Sequence, residues 1–171
     1  MPTSRRRALL THSLAVSLGL GLGLLSCADD CTAGAATGAR VADALADATY
    51  HARFRRDQPG EHPQYWADGT LGITHDGIAF RGRMDVPASA GPTVTVYLTA
   101  DRIGSAEDFA RAQPRARRVG LISPRSRFLL DVPEDIDVED FTTVVLWAER
   151  SRQLIATARY RTAWEDEEWE D

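Results

Sequence analysis

The sequence predicts an all-β protein: an antiparallel β-sandwich of about seven to eight short strands with one short loop helix. Three observations predict it. From Thr49 onward apolar residues recur at every second position, the period of a strand with one covered face. Turn-forming pairs and prolines interrupt these runs about every 8–12 residues. The chain has 171 residues at 43% hydrophobic and 26% charged, a globular composition. A chain near 145 residues, once a leader is removed, buries roughly two-thirds of its unfolded surface and holds a core without disulfides.

Residues 1–26 have the pattern of an export signal. Arg5, Arg6 and Arg7 form a basic start, Leu14 to Leu25 an apolar stretch, and Ser26 a small residue before Cys27. Gly19, Gly21 and Gly23, with Thr11, His12, Ser13 and Ser17, dilute the stretch below the roughly 20 apolar residues of a spanning helix. An uncleaved single-pass anchor is the alternative. Ser4-Arg5-Arg6-Arg7-Ala8-Leu9 resembles a twin-arginine export motif with Ala8 in place of the aromatic, and leaves that route open beside ordinary secretion. Leu24-Leu25-Ser26-Cys27 resembles a bacterial lipobox. That resemblance implies cleavage before Cys27, acylation of its sulfur (a palmitate-type anchor) and a place on the extracytoplasmic side of the cell membrane or the outer membrane. Each buried methylene of such a chain contributes about 0.8 kcal/mol to membrane affinity. Cys31 is then either an incidental thiol or a partner in an intermolecular disulfide.

Residues 27–48 are expected as a tether, with a short helix where Val41, Leu45 and Ala48 fall at helical spacing. Residues 49–162 carry the strands. Leu71 and Ile73 alternate with Thr70, Gly72 and Thr74. Asp76-Gly77 marks a hairpin. Ile78, Phe80, Met84 and Val86 then share one face, with Arg81, Arg83 and Asp85 on the other. After Ala90-Gly91-Pro92, Val94, Val96 and Leu98 alternate with Thr93, Thr95, Tyr97 and Thr99. Ser105 followed by Glu107 and Asp108 is the start signal of a loop helix. Beyond Ser123-Pro124, Phe128, Leu130 and Val132 alternate with Arg127, Leu129 and Asp131. Val144 to Ala148 is apolar on both faces and predicts a central strand, and Leu154 to Tyr160 the last.

Residues 163–171 are an acidic tail, expected as a solvated segment or as an acidic-aromatic docking peptide through Trp164 and Trp169. All 20 basic residues are arginine, against 25 acids, for a net charge of −5. Residues 1–26 hold three arginines and no acid, so the charge without them is −8. Six acids lie in the last seven residues, which leaves −2 for Cys27 to Trp164. A chain with this balance has no sequence-wide basic field for nucleic acid.

Four pieces of the strand region resemble the DM-thirteen domain, a β-sandwich family related to the DOMON domains. They are Trp66-Ala67-Asp68-Gly69-Thr70-Leu71-Gly72-Ile73, Ala90-Gly91-Pro92 leading to Val96-Tyr97-Leu98, Val132-Pro133 through Phe141 to Trp147, and Leu154 to Arg161. The resemblance spans about residues 50–161. It implies an extracytoplasmic domain of an electron-transfer family whose proposed redox group is a cysteine directly after the strand tryptophan. Here Trp147 is followed by Ala148. An alanine forms no thiolate and ligates no metal. The expectation is therefore a non-enzymatic, lipid-anchored module that binds an envelope protein or other ligand. It predicts no cofactor and no metal site.

The competing expectation is an electron carrier with a bound haem or flavin. Relatives in the DOMON group bind haem, which makes His62 or His75 with Met84 the candidate axial ligands. His51, His62 and His75 form no H-E-x-x-H pair, and no nucleophile–base set stands out. Glu134, Asp135, Asp137, Glu139 and Asp140 form either a solvated acidic turn or an oxygen-rich cation loop. Arg111, Arg115, Arg117 and Arg118 are expected as a solvated loop, or as a surface for anionic headgroups, a glycan or the acidic tail.

Overall fold

The computed structural model describes residues 28–56 and 64–161. Among these residues, eight strands form two four-stranded sheets, antiparallel at every pairing. The first contains β1 (Tyr50–Phe54), β2 (Trp66–Ile73), β3 (Gly77–Asp85) and β6 (Arg127–Asp131), in the order β1-β2-β3-β6. The second contains β4 (Val94–Thr99), β5 (Arg117–Ile122), β7 (Thr143–Ala148) and β8 (Gln153–Arg159), in the order β5-β4-β7-β8. Among the described residues no helix is long and apolar enough to cross a membrane.

The period-two pattern sets which side chains meet between the sheets. Leu71, Ile73, Ile78 and Phe80 of the first sheet face Val94, Val96, Leu98, Val144 and Leu146 of the second, and all are fully buried. Phe54, Phe80 and Phe128 line up across the first sheet, with ring centroids 5.7 and 5.2 Å apart. Each such ring contributes roughly 1.5–3 kcal/mol by leaving water. Gly69 and Gly82 are register partners above Phe80. A Cβ on either would lie 2.8 Å from the phenyl ring, so the ring packs where side chains are missing.

A helix covers each sheet on its outer side. α2 (Ala106–Ala112) begins as the sequence predicts: the Ser105 hydroxyl accepts from the Asp108 N–H at 3.1 Å. It places Phe109 over β4 and β7. Tyr97, whose alternation points to water, is therefore buried, and its same-face neighbours Thr95 and Thr99 are buried as well. The 19-residue α1 (Ala28–Ala46) contains the helical spacing at Val41 and Leu45 and extends well before it. The stretch 28–38, expected as a tether, is the first half of this helix, because its alanines are strong helix formers. Val41 and Leu45 pack on Ala79 and Leu129, and Leu45 rests against Gly72. Leu129, whose alternation with Phe128 and Leu130 points to water, is covered by α1.

Two strands lie outside the expected runs. β1 is short and alternates half-buried with exposed positions. β5 starts at Arg117 and Arg118, expected as loop, and pairs along β4 across a bulge at Val96/Tyr97. The hairpin is centred on His75 and Asp76. The Thr74 N–H donates to the Gly77 carbonyl at 2.9 Å, and the Thr74 hydroxyl to Asp76 at 2.7 Å.

Candidate functional site

β7 brings Trp147 and Ala148 to opposite sides of the second sheet. Trp147 points outward, under α2, with its ring 4.9 Å from that of Phe109. Phe109 lies a further 5.2 Å from Tyr97. Ala148 points inward. It is 0% exposed and belongs to the core between the sheets, opposite Gln153 of β8. A thiol at this position would sit in apolar surroundings, where burial favours its neutral form. The alanine present fills the space with a methyl group and supplies no electron-accepting or ligating atom.

The candidate cofactor ligands are not brought together. The side chain of His75 is 90% exposed in the hairpin, 3.9 Å from Asp76. Met84 lies half-buried against the inter-sheet core near the far end of β3. His75 lies beyond the hairpin end of β3, and the seven steps from Gly77 to Met84 alone run about 23 Å along the strand. His62 and Cys27 lie outside the described residues. Cys31 falls within the first turns of α1. No group of three or more His, Cys, Asp or Glu among the described residues is arranged to hold a metal ion.

One ion pair joins the acidic turn to the arginine cluster, and two more tie the cluster to other carboxylates. Asp137 caps a 3-10 turn (Val138–Asp140) by accepting from the Glu139 N–H at 2.9 Å. Asp135 pairs with Arg117. Arg111 pairs with Asp108 at 2.6 Å, and Arg115 with Asp101 at 3.0 Å. These pairs are solvent-exposed and contribute at most about 1 kcal/mol each. Three of the four arginines are thus paired, and Arg118 has no ion pair among the described residues.

A denser group of arginines, all but Arg53 without a carboxylate partner among the described residues, lies on the outer face of the first sheet. There two adjoining hollows of about 440 and 420 Å3 share Arg53, Arg56 and Asp68. Register builds the larger one. Arg53 of β1, Thr70 of β2 and Arg81 of β3 lie in one row across the sheet, with Asp68 and Arg83 in the next. The Arg56 guanidinium stacks 4.4 Å above the Trp66 ring, which forms one wall. Asp68 accepts from Arg53 at 3.0 Å and is the one carboxylate lining either hollow among the described residues. Arg81 stands directly opposite Arg127 of β6, a like-charged cross-strand pair. The sequence signal for this cleft is the alternation Arg81-Gly82-Arg83 beside Arg53 and Arg55. Only Arg81 and Arg83, with Asp85, read from the sequence as an outward-facing set; Arg53, Arg55 and Arg56 do not, because nothing local says that β1 and β3 flank one strand.

No curated protein and no solved structure matches the chain. Residues 60–160 match the family model described as "Electron transfer DM13", a span that holds the first three resembling pieces and the fourth up to Tyr160. The match covers more than half of the chain, which belongs to the DM13 family.

Proposed function

We propose that this protein is a lipid-anchored β-sandwich of the cell envelope that acts by binding a partner or ligand, without enzymatic or cysteine redox chemistry. The observation that carries the reading is Ala148. In a domain of an electron-transfer family, the position after the strand tryptophan is a fully buried methyl group. The lipobox-like Leu24-Leu25-Ser26-Cys27 supports the anchor, and the length of apolar sequence before it supports export rather than spanning.

Membrane fractionation and acyl labelling of the wild type and of Cys27→Ser test the anchor. The wild type takes up label and stays with membranes, and the variant does neither; a variant that still fractionates with membranes contradicts the anchor. The family match favours a second reading, electron transfer through a bound haem or other cofactor. The visible absorption spectrum of the purified protein separates the two. The binding reading expects no Soret or flavin band, and a near-stoichiometric band of either kind supports the carrier.

A further inference from the structure

We infer that the acidic C-terminal segment of this chain, Glu165–Asp171, docks in its own arginine cleft on β1–β3. The cleft brings together five guanidinium groups, those of Arg53, Arg55, Arg56, Arg81 and Arg83, against the single carboxylate of Asp68 among the described residues. Arg81 also faces Arg127 across the strand pair, an arrangement that is unfavourable until an anion lies between them. No carboxylate among the described residues is paired with Arg55, Arg56, Arg81 or Arg83. The tail carries the complementary set: six acids in seven residues, with Trp164 and Trp169 available to stack on guanidinium planes as Trp66 does with Arg56.

The path of the chain favours its own tail as the occupant. β8 ends at Arg159, and the Arg161 guanidinium lies 5.6 Å from the ring of Tyr50, the first residue of β1. From Tyr50 the edge strand leads to Arg53, about 10 Å away. The residues after Arg161 span up to roughly 33 Å when extended, enough to round that edge and cross the row to Arg81. A tether this short gives an effective concentration in the millimolar range, which favours the tail over a second copy or a dilute anion. The docked tail is a built-in competitor for any anionic partner of the cleft. The inference stands independently of the lipid anchor.

The test is an NMR comparison on the protein purified after export. The probes are the Arg81 and Arg83 Nε–H signals and the Trp66 indole N–H. Neutralising the tail with Glu165→Gln, Asp166→Asn, Glu167→Gln and Glu168→Gln shifts all three. So does salt at about 1 M, where the screening length falls to about 3 Å. The signals of Arg111 and Arg115, on the other sheet, do not move. The pair Arg81→Glu and Arg83→Glu moves the Trp169 indole signal to its position in the neutralised chain. With Cys27→Ser in both chains, so that no acyl anchor contributes, vesicles of phosphatidylglycerol bind the neutralised chain more tightly than the chain with its native tail. Cleft signals that ignore the tail's charge overturn the inference, as does equal vesicle binding by both chains. Shifts that fade on about tenfold dilution overturn it in favour of a second copy.

Discussion

Trp147 and Ala148 are adjacent in β7 but serve different cores. The indole of Trp147 packs against Phe109 under α2, with ring centroids 4.9 Å apart, whereas the methyl of Ala148 is sealed between the sheets. The tryptophan therefore acts in packing the outer layer. The residue after it faces a compartment that solvent does not reach.

This relationship predicts the behaviour of a thiol placed directly after Trp147. Ala148→Cys yields a cysteine that a water-soluble thiol reagent labels only as fast as the domain opens, because burial keeps the thiol neutral and screened. Labelling kinetics in increasing urea check this. The rate rises with denaturant in step with opening.

The outer core under α2 makes a second prediction. Phe109 is fully buried between Tyr97 and Trp147. Phe109→Ala leaves a cavity there and lowers stability by about 3–5 kcal/mol. Ser105→Ala removes only the helix cap and costs about 1 kcal/mol. Urea denaturation measures both, and the ratio distinguishes loss of packing from loss of the cap.

Alkaline pH probes the seam where the sheets close. The Tyr160 hydroxyl donates to the Val138 carbonyl at 2.6 Å, and burial pushes its pKa well above the ordinary phenol value. Tyr97 is shifted the same way, first by burial and then by its 2.5 Å hydrogen bond to Glu149. The folded state thus keeps protons that the unfolded chain releases above about pH 10. The stability these groups contribute is fully present below that pH and declines as pH rises through their folded values. Thermal melts at increasing pH show a falling melting temperature above about pH 10. Tyr160→Phe flattens the decline and, at neutral pH, costs about 1–3 kcal/mol through the orphaned carbonyl.

The layer beneath α1 supplies a further prediction. A Cβ on Gly72 would lie 2.8 Å from the Ala48 Cβ and 3.1 Å from a Leu45 methyl. Gly72→Val therefore lifts the end of α1 off the sheet and costs about 1–3 kcal/mol, by overpacking. Amide exchange of residues 41–46 reports it, with faster exchange in the variant.

Much of this architecture was legible because burial on one face writes itself as alternation. β2, β3, β4, β6, β7 and β8 follow their apolar periods, and the cap at Ser105 marks α2. What the alternation does not encode is a second cover on the outer face. Leu129 and Tyr97 read as solvent-facing because the covers are separate helices, α1 far away in sequence and α2 after a loop, and alternation within a strand does not register them. β5 was hidden because Arg117 and Arg118 are exposed on a sheet edge. The arginine cleft was hidden for a related reason. Arg53 and Arg81 become neighbours only through the pairing of β1 and β3 with β2.

The central claim is that the domain binds rather than carries electrons. Anaerobic reductive titration of the protein purified after export, in the Cys31→Ser form to exclude intermolecular disulfides, tests it most directly. The account predicts no electron equivalents taken up per chain between fully oxidising and fully reducing conditions. Uptake of one or two equivalents per chain, with a matching optical change, would contradict it.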